Sequence, residues 1–351
     1  MNRNLLLFAV CMLCSIAPIP FMPLDNAWAQ KDQVYTRSGS TLSGTVTAAT
    51  PLQITIDVQG NPRTVQVNDI RRVMFAEEPP ELNVGRGRIL AGKLDAGLRE
   101  LKKLNPAQID REIVRRDLQF YRAYCEGRLA LTAGGSKEQA SQSMLAFVRA
   151  DPNSFHFFEA AELLGDLAVS SNDHASAIKY YAAIAGKAPF PEYRMRALIS
   201  QARALLAQQD FGKAEETFDV VLAIDSDTAE SKRQKRLATV GKARCLAETG
   251  SPGDGVKMIE QIIAENDASD AELFGRAYNA QGDCLRKLQK TKDALMAYLH
   301  VDVLFYSDPE NHAESLYHLS KLWSEIGQSD RAVAARNLLD QRYPGSVWSR
   351  K

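Results

Sequence analysis

The sequence predicts a mainly α-helical chain: an α-solenoid of about seven helical hairpins behind a small all-β domain. Two patterns carry this. Small residues open a helical stretch at Gly97, Ala140, Ala177, Ala214, Gly255, Ala294 and Ala332, at intervals of 43, 37, 37, 41, 39 and 38 residues. A regular period in this range marks a stacked repeat array. Ahead of it, a period-two alternation runs through residues 30–76 and stops at Glu77-Glu78-Pro79-Pro80, as half-buried strands require. Composition agrees: 351 residues, 45% of them hydrophobic, are ample for a folded core. Lys+Arg and Asp+Glu are equal at 43 each. A neutral chain argues against nucleic acid or an anionic membrane surface as the main partner.

The first 29 residues are of another kind. Arg3 precedes an apolar run from Leu5 to Ile16, then Pro18, Pro20 and Pro23, then Ala27-Trp28-Ala29. This is the anatomy of a secretory signal peptide cleaved after Ala29. The prolines and the Ala-x-Ala site argue against the alternative, an uncleaved membrane anchor. Leu13 stands before Cys14 where a lipoprotein signal wants a small residue. The expected location is therefore periplasmic or secreted. Removal of the segment takes one charge of each sign, Arg3 and Asp25, and leaves Cys125, Cys245 and Cys284. An odd number of thiols in an exported chain leaves an intermolecular pair open. Cys245 and Cys284, however, each follow a small residue of the repeat, Ala243 and Gly282, by two positions. Stacked helices lie about 8–10 Å apart, beyond the roughly 7 Å Cα limit of a disulfide, so buried packing thiols are expected.

Strands are read at Thr41–Thr47, Ile54–Val58, Thr64–Val67 and Ile70–Phe75, with turns at Ser38-Gly39-Ser40, Thr50-Pro51 and Gly60-Asn61-Pro62. So few short strands bury a face only by curling into a small barrel. Their order, with Gly44 inside one of them, resembles the SH3-like and Sm-like barrels. Residues 77–81 form a Pro-rich linker, since proline ends the element before it.

From residue 82 to 346 the period becomes 3.6. In the sixth hairpin Phe274, Tyr278, Gln281, Leu285 and Leu288 share one face of a first helix. Ala294, Leu295, Tyr298, Leu299 and Val301 line the second, which stops near Pro309. Pro152, Pro189 with Pro191, and Pro344 end other hairpins. The turns within hairpins are short and polar, as at Ser171-Asn172-Asp173, Gln208-Gln209-Asp210 and Gly327-Gln328-Ser329. Residues 347–351 form a tail.

These residues resemble the tetratricopeptide repeat family. Gly165, Ala177, Tyr181 and Pro189 follow the family's spacing: a small residue at the helix crossing, a second one, an aromatic, then proline. Crossing helices approach only where neither carries a bulky side chain. The spacing recurs at Ala202, Ala214, Phe218 and at Gly282, Ala294, Tyr298, and more loosely at Ala243, Gly255, Ile259. In the second unit Gly127 comes one residue early, in the seventh Arg336 replaces the aromatic, and the first unit (Gly85, Gly97, Leu101) matches least. Divergent ends suit capping units, which need a polar outer face. The ending Gln341 to Ser346 resembles the last repeats of exported bacterial members that work at the cell envelope.

No catalytic constellation emerges. The five histidines are scattered, and His312 and His318 are six apart, where a zinc pair on a helix wants four. Gly85-Arg86-Gly87 lacks the strand and the Lys-Ser/Thr of a phosphate loop, and no nucleophile motif occurs. Neither metal nor cofactor is expected, nor a small-molecule substrate. Glu159, Glu162 and Asp166 share a helical face that reads as solvated.

The resemblance implies that the first helices line a concave, partner-binding surface. By register this places Arg196, Arg203, Arg244, Arg276, Asn279, Arg286 and Tyr317 there, with Glu162, Asp166, Asp283 and Lys321. Arginine forks pair well with carboxylates, a peptide's C-terminus included; the alternative is a solubilising surface in which they pair with neighbouring acids. The expected function is a non-enzymatic, exported scaffold for protein–protein interaction at the bacterial cell envelope. The alternative is a glycan- or cell-wall-binding accessory protein using the β-domain, with the repeats as spacer. A third reading is an array that forms homo-oligomers.

Overall fold

The computed structural model describes residues 31–132 and 134–351. The expected signal peptide lies outside the described residues. Five strands come first: β1 (Asp32–Thr36), β2 (Thr41–Ala49), β3 (Gln53–Val58), β4 (Asn61–Gln66) and, after a one-turn 3-10 helix, β5 (Ile70–Met74). They form one antiparallel sheet in the order β4-β3-β2-β1-β5. β2 pairs with β1 through residues 41–44 and with β3 through residues 45–49. It can serve both halves because it turns at Gly44, where a Cβ would strike the carbonyl of Asp57. The bend brings Val34, Ile54, Ile56 and Val73 into one buried core. Gly60-Asn61-Pro62 is not the turn itself. Gln59 and Gly60, with φ of 56° and 83°, make the turn, and Asn61 and Pro62 already belong to β4. That strand is an edge, where a missing amide donor is tolerated.

Fourteen helices follow: α1 (Pro80–Leu90), α2 (Leu94–Lys102), α3 (Glu112–Thr132), α4 (Lys137–Ala150), α5 (Phe157–Ser170), α6 (His174–Lys187) and α7 (Pro191–Ala207), then α8 (Phe211–Ala223), α9 (Ala229–Thr249), α10 (Pro252–Glu265), α11 (Ala271–Lys287), α12 (Thr291–Leu304), α13 (Pro309–Glu325) and α14 (Ser329–Arg342). They pair as seven hairpins, α1–α2 to α13–α14. Among the described residues no strand follows β5 and no helix is long and apolar enough to cross a membrane. Residues 77–81 are part of the packing rather than a spacer. The Phe75 amide donates to Glu78, α1 starts at Pro80, and the sheet and α1–α7 bury one continuous apolar cluster.

Pro191 and Pro309 do not end hairpins, as their positions suggest, but open the next ones. With Pro80 and Pro252 they occupy the first helical position, where the amide would lack a partner in any case. The turns inside hairpins repeat one geometry. Gly92, Gly134, Asn172, Gln209, Gly250, Gln289 and Gly327 all have positive φ. Around Asn172, Gln209 and Gln289 the next residue donates back to the carbonyl five positions earlier, as from Asp173 to Ala168 (2.8 Å) and from Lys290 to Leu285 (2.9 Å). This left-handed cap satisfies carbonyls that the helix end leaves open. Asp173 and Asp210 then cap the following helix with their side chains.

Crossings fall where the small residues are. A Cβ on Gly282 would lie 2.5 Å from the Tyr298 ring, and Tyr181 and Phe218 fill the same space over Gly165 and Gly241. The first hairpin, least family-like in sequence, has an equally close crossing: a Cβ on Gly85 would lie 2.5 Å from Leu101. Cys125, Cys245 and Cys284 are free and buried, and burial pushes each thiol up to about 12. Finally, residues after α14 return to the early hairpins. Lys137 Nζ donates to the carbonyl of Gly345 (2.7 Å), and Arg350 donates to that of Ser170.

Candidate functional site

Charge in this chain is organised at two places, one buried and one facing the inner side of the array. The buried set braces the β-sheet and the first hairpins. Asp32 is 1% exposed and accepts from the amides of Val46 and Ala76 (2.6 Å each) and from both Nη atoms of Arg111 (2.5 and 2.6 Å). Burial opposes its charge, but these donors outweigh it and hold the carboxyl below its usual range. Arg86, wholly buried in α1, bonds Glu78 (3.1 and 2.8 Å) and Asp117 (2.7 Å). Asp117 also meets His156 Nε2 at 2.9 Å, while His156 Nδ1 meets Glu159 at 2.9 Å. The imidazole stacks on Phe120 with 3.7 Å between centroids. Sequence reasoning passed over Asp32, Arg111 and Asp117 and met Arg86 only within a rejected phosphate-loop motif. One signal was present: Arg86 lies in phase with Leu82, Gly85 and Ile89, the buried stripe of α1.

The inner face holds the residues singled out by register, carried on α7, α9, α11 and α13. Arg196 Nε bonds Glu162 at 2.9 Å and the guanidinium lies over the Tyr193 ring. Arg203 reaches from α7 to Glu310 on α13. Arg244 bonds Asp283 (2.9 Å) and Glu314. Arg276 bonds Glu272 (3.2 Å) and Glu310 (3.3 Å). Arg286 meets His318 at 3.1 Å. Tyr317 is half-buried and packs against Trp348, with centroids 5.3 Å apart. Asn279 is fully buried; its amide joins α11 to α13 through the carbonyl of Asn311 (2.9 Å) and Glu314 (3.3 Å), so it presents nothing to a partner. Arg196, Arg203, Arg244 and Arg276 are thus paired with acids, several of them far away in sequence, and Arg286 with a histidine.

The carboxylates of α5 form a part-exposed face, with the Glu159, Glu162 and Asp166 side chains 43%, 27% and 33% exposed. Glu159, Glu162 and Asp166 line an open recess of about 290 Å³ together with Arg37, Arg128, Tyr124, Tyr193 and Arg196. Burial raises the Glu162 and Asp166 carboxyls despite the arginines nearby. Asp166 and Asp283 repeat one arrangement 117 positions apart: each accepts from a tyrosine fifteen residues on, Tyr181 and Tyr298, at 2.7 Å. Each also faces an arginine of the preceding first helix, Arg128 at 3.8 Å and Arg244 at 2.9 Å. Among the described residues no group of His, Cys, Asp and Glu is placed to hold a metal ion.

The family model of the tetratricopeptide repeat matches residues 162–229. The helical array is a tetratricopeptide-like solenoid. Among solved structures, the chain is similar to a tetratricopeptide repeat protein from Parabacteroides merdae ATCC 43184 (TM-score 0.53, 16% identity, 75% of this chain and 91% of that one). It is likewise similar to a Rap protein complexed with competence and sporulation factor (TM-score 0.53, 12% identity, 74% and 73%). At these identities the likeness is one of fold. No curated protein matches the sequence. In the tetratricopeptide-like array the matched segment runs from Glu162 to Ala229, so it begins at the acidic wall of the recess and contains Arg196 and Arg203.

Proposed function

We propose that this protein is a non-enzymatic scaffold, exported to the bacterial envelope, that holds a protein or peptide on the inner face of its tetratricopeptide-like array. The recess between α3, α5 and α7 carries this reading. Arg37, Arg128 and Arg196 meet there, and Arg196 makes its nearest approach to Glu162 through Nε, at 2.9 Å. A guanidinium has five donors, so Arg196 has more of them than its pair with Glu162 uses and can also meet a partner's carboxylate. The Rap protein, solved with a bound factor, supports binding as the use of such an array. The N-terminal sequence supports export. The cell-wall alternative gains nothing from the β-domain: Phe75 is 1% exposed and Tyr35 lies under Arg72, so no stacking platform is presented.

The test is site-specific photo-crosslinking in the host. A crosslinker replacing Arg196 or Tyr124 should capture a discrete protein or peptide. One at Val220 or Met296, exposed elsewhere on the array, should not. Capture from the outer positions alone would remove the reading.

A further inference from the structure

We propose that residues 346–351 occupy a seat on the inner face that a partner segment takes in trans, and that this partner presents the same chemistry, an aromatic side chain followed closely by basic residues. The inference rests on the scaffold reading and names the class of partner. The Trp348 ring packs against Tyr317 and His318 on α13, with centroids 5.3 and 5.4 Å apart. Lys351 Nζ lies 3.9 Å from the centre of that indole. Arg350 donates to the Ser170 carbonyl at the end of α5. The seat therefore receives one aromatic ring on an aromatic wall, one cation over that ring and one on a main-chain acceptor.

Its contacts are those of a segment that exchanges. The four residues Ser346 to Ser349 are half-buried and Arg350 and Lys351 are exposed. Most of the attachment is polar: Arg336 to the Ser349 carbonyl (2.6 Å), Lys137 to that of Gly345, and Arg350 to that of Ser170. Such bonds are replaced by equivalent ones from a competitor or from water at small net cost. Tyr317 and Arg286 belong to the same row as Arg244, and Arg286 meets His318, on which the Trp348 ring packs, so the seat is continuous with the proposed binding face. While occupied, it ties the seventh hairpin to the second and third.

The test uses the labelled peptide Ser-Val-Trp-Ser-Arg-Lys and fluorescence anisotropy. A chain shortened by residues 346–351 should bind it saturably, and the full chain roughly ten-fold or more weakly, because its seat is filled in cis. Tyr317→Ala in the shortened chain, or alanine for tryptophan in the peptide, should abolish binding. If shortening lowers the melting temperature enough to unfold the chain, the full-length double variant Trp348→Ala, Arg350→Ala keeps the Lys137–Gly345 clasp and gives the same readout. No binding to either folded variant overturns the proposal. So does a full chain that is dimeric by light scattering and monomeric once shortened, which would assign the seat to a second copy. Peptide binding with no crosslinks from the recess would sustain this seat and sink the broader scaffold reading; the reverse pattern would do the opposite.

Discussion

Ion pairs at the start of the array and along its inner face use the same kinds of side chain, yet water separates their roles. Arg86 and Asp117 are 0% and 2% exposed at the side chain, whereas Arg203 and Glu310 are 34% and 55%. A buried charge stripped of its partner keeps its desolvation cost, so the first set acts as a brace. A half-exposed pair such as Arg203–Glu310 loses little when one member leaves, so it can trade partners. Breaking both sets in the same way measures the difference. Asp117→Ala, which leaves Arg86 with Glu78 alone and His156 with Glu159 alone, should cost about 3–5 kcal/mol in denaturant unfolding. Glu310→Ala should cost no more than about 1 kcal/mol. Equal losses would erase the distinction.

The crossings sharpen the comparison from the apolar side. Gly282→Ala must displace the Tyr298 ring and should cost about 1–3 kcal/mol, while Gly212→Ala, with open space at its Cβ, should gain up to about 1 kcal/mol from helix propensity. A melting series on the two variants checks both signs.

The brace also titrates. Burial disfavours a charged His156, but its bonds to Asp117 and Glu159 outweigh that and raise its pKa. Its contribution is complete below about pH 6.5, the unfolded value, and is lost as pH rises through the folded value. Asp117 behaves inversely. Burial is overcome by Arg86 and His156 and its pKa is lowered, so its contribution holds above about pH 3.9 and disappears as pH falls through the folded value. Stability of the native chain should therefore be greatest between these limits and decline as pH rises above about 6.5. His156→Gln should flatten that decline; an unchanged slope would show that the imidazole is not charged in the fold.

The period, the hairpin count and the crossing residues were legible because each is local: a small residue faces a neighbour within one or two helices. Gly241 escaped because Phe218 reaches it from the preceding hairpin rather than its own. The ion pairs were not legible for the same reason on a larger scale. Arg203 finds Glu310 across 107 positions, and Asp32 finds Arg111 across 79. Register told that the arginines face inward; only the superhelical turn decides which acids meet them. Proline was misread because it marks a boundary without saying which side owns it. At Pro191 and Pro309 the helix that follows does, since a first-turn residue needs no amide donor.

The smallest effect tests the turns that set this superhelical path. Seven turns adopt one left-handed geometry, but Gln209 and Gln289 meet it without glycine, at φ of 64° and 60°. Both side chains are exposed, so replacement removes no packing. A left-handed conformation costs a residue with a Cβ about 1–2 kcal/mol, and glycine returns about 0.5–1 kcal/mol of that through its greater unfolded-state freedom. Gln289→Gly should therefore stabilise the chain by about 0.5–1 kcal/mol, and Gly250→Gln, at the equivalent turn, should destabilise it by a similar amount. Opposite signs in paired urea titrations would show that the turns are interchangeable; a loss at both would mean that Gln289 is held by something other than its backbone.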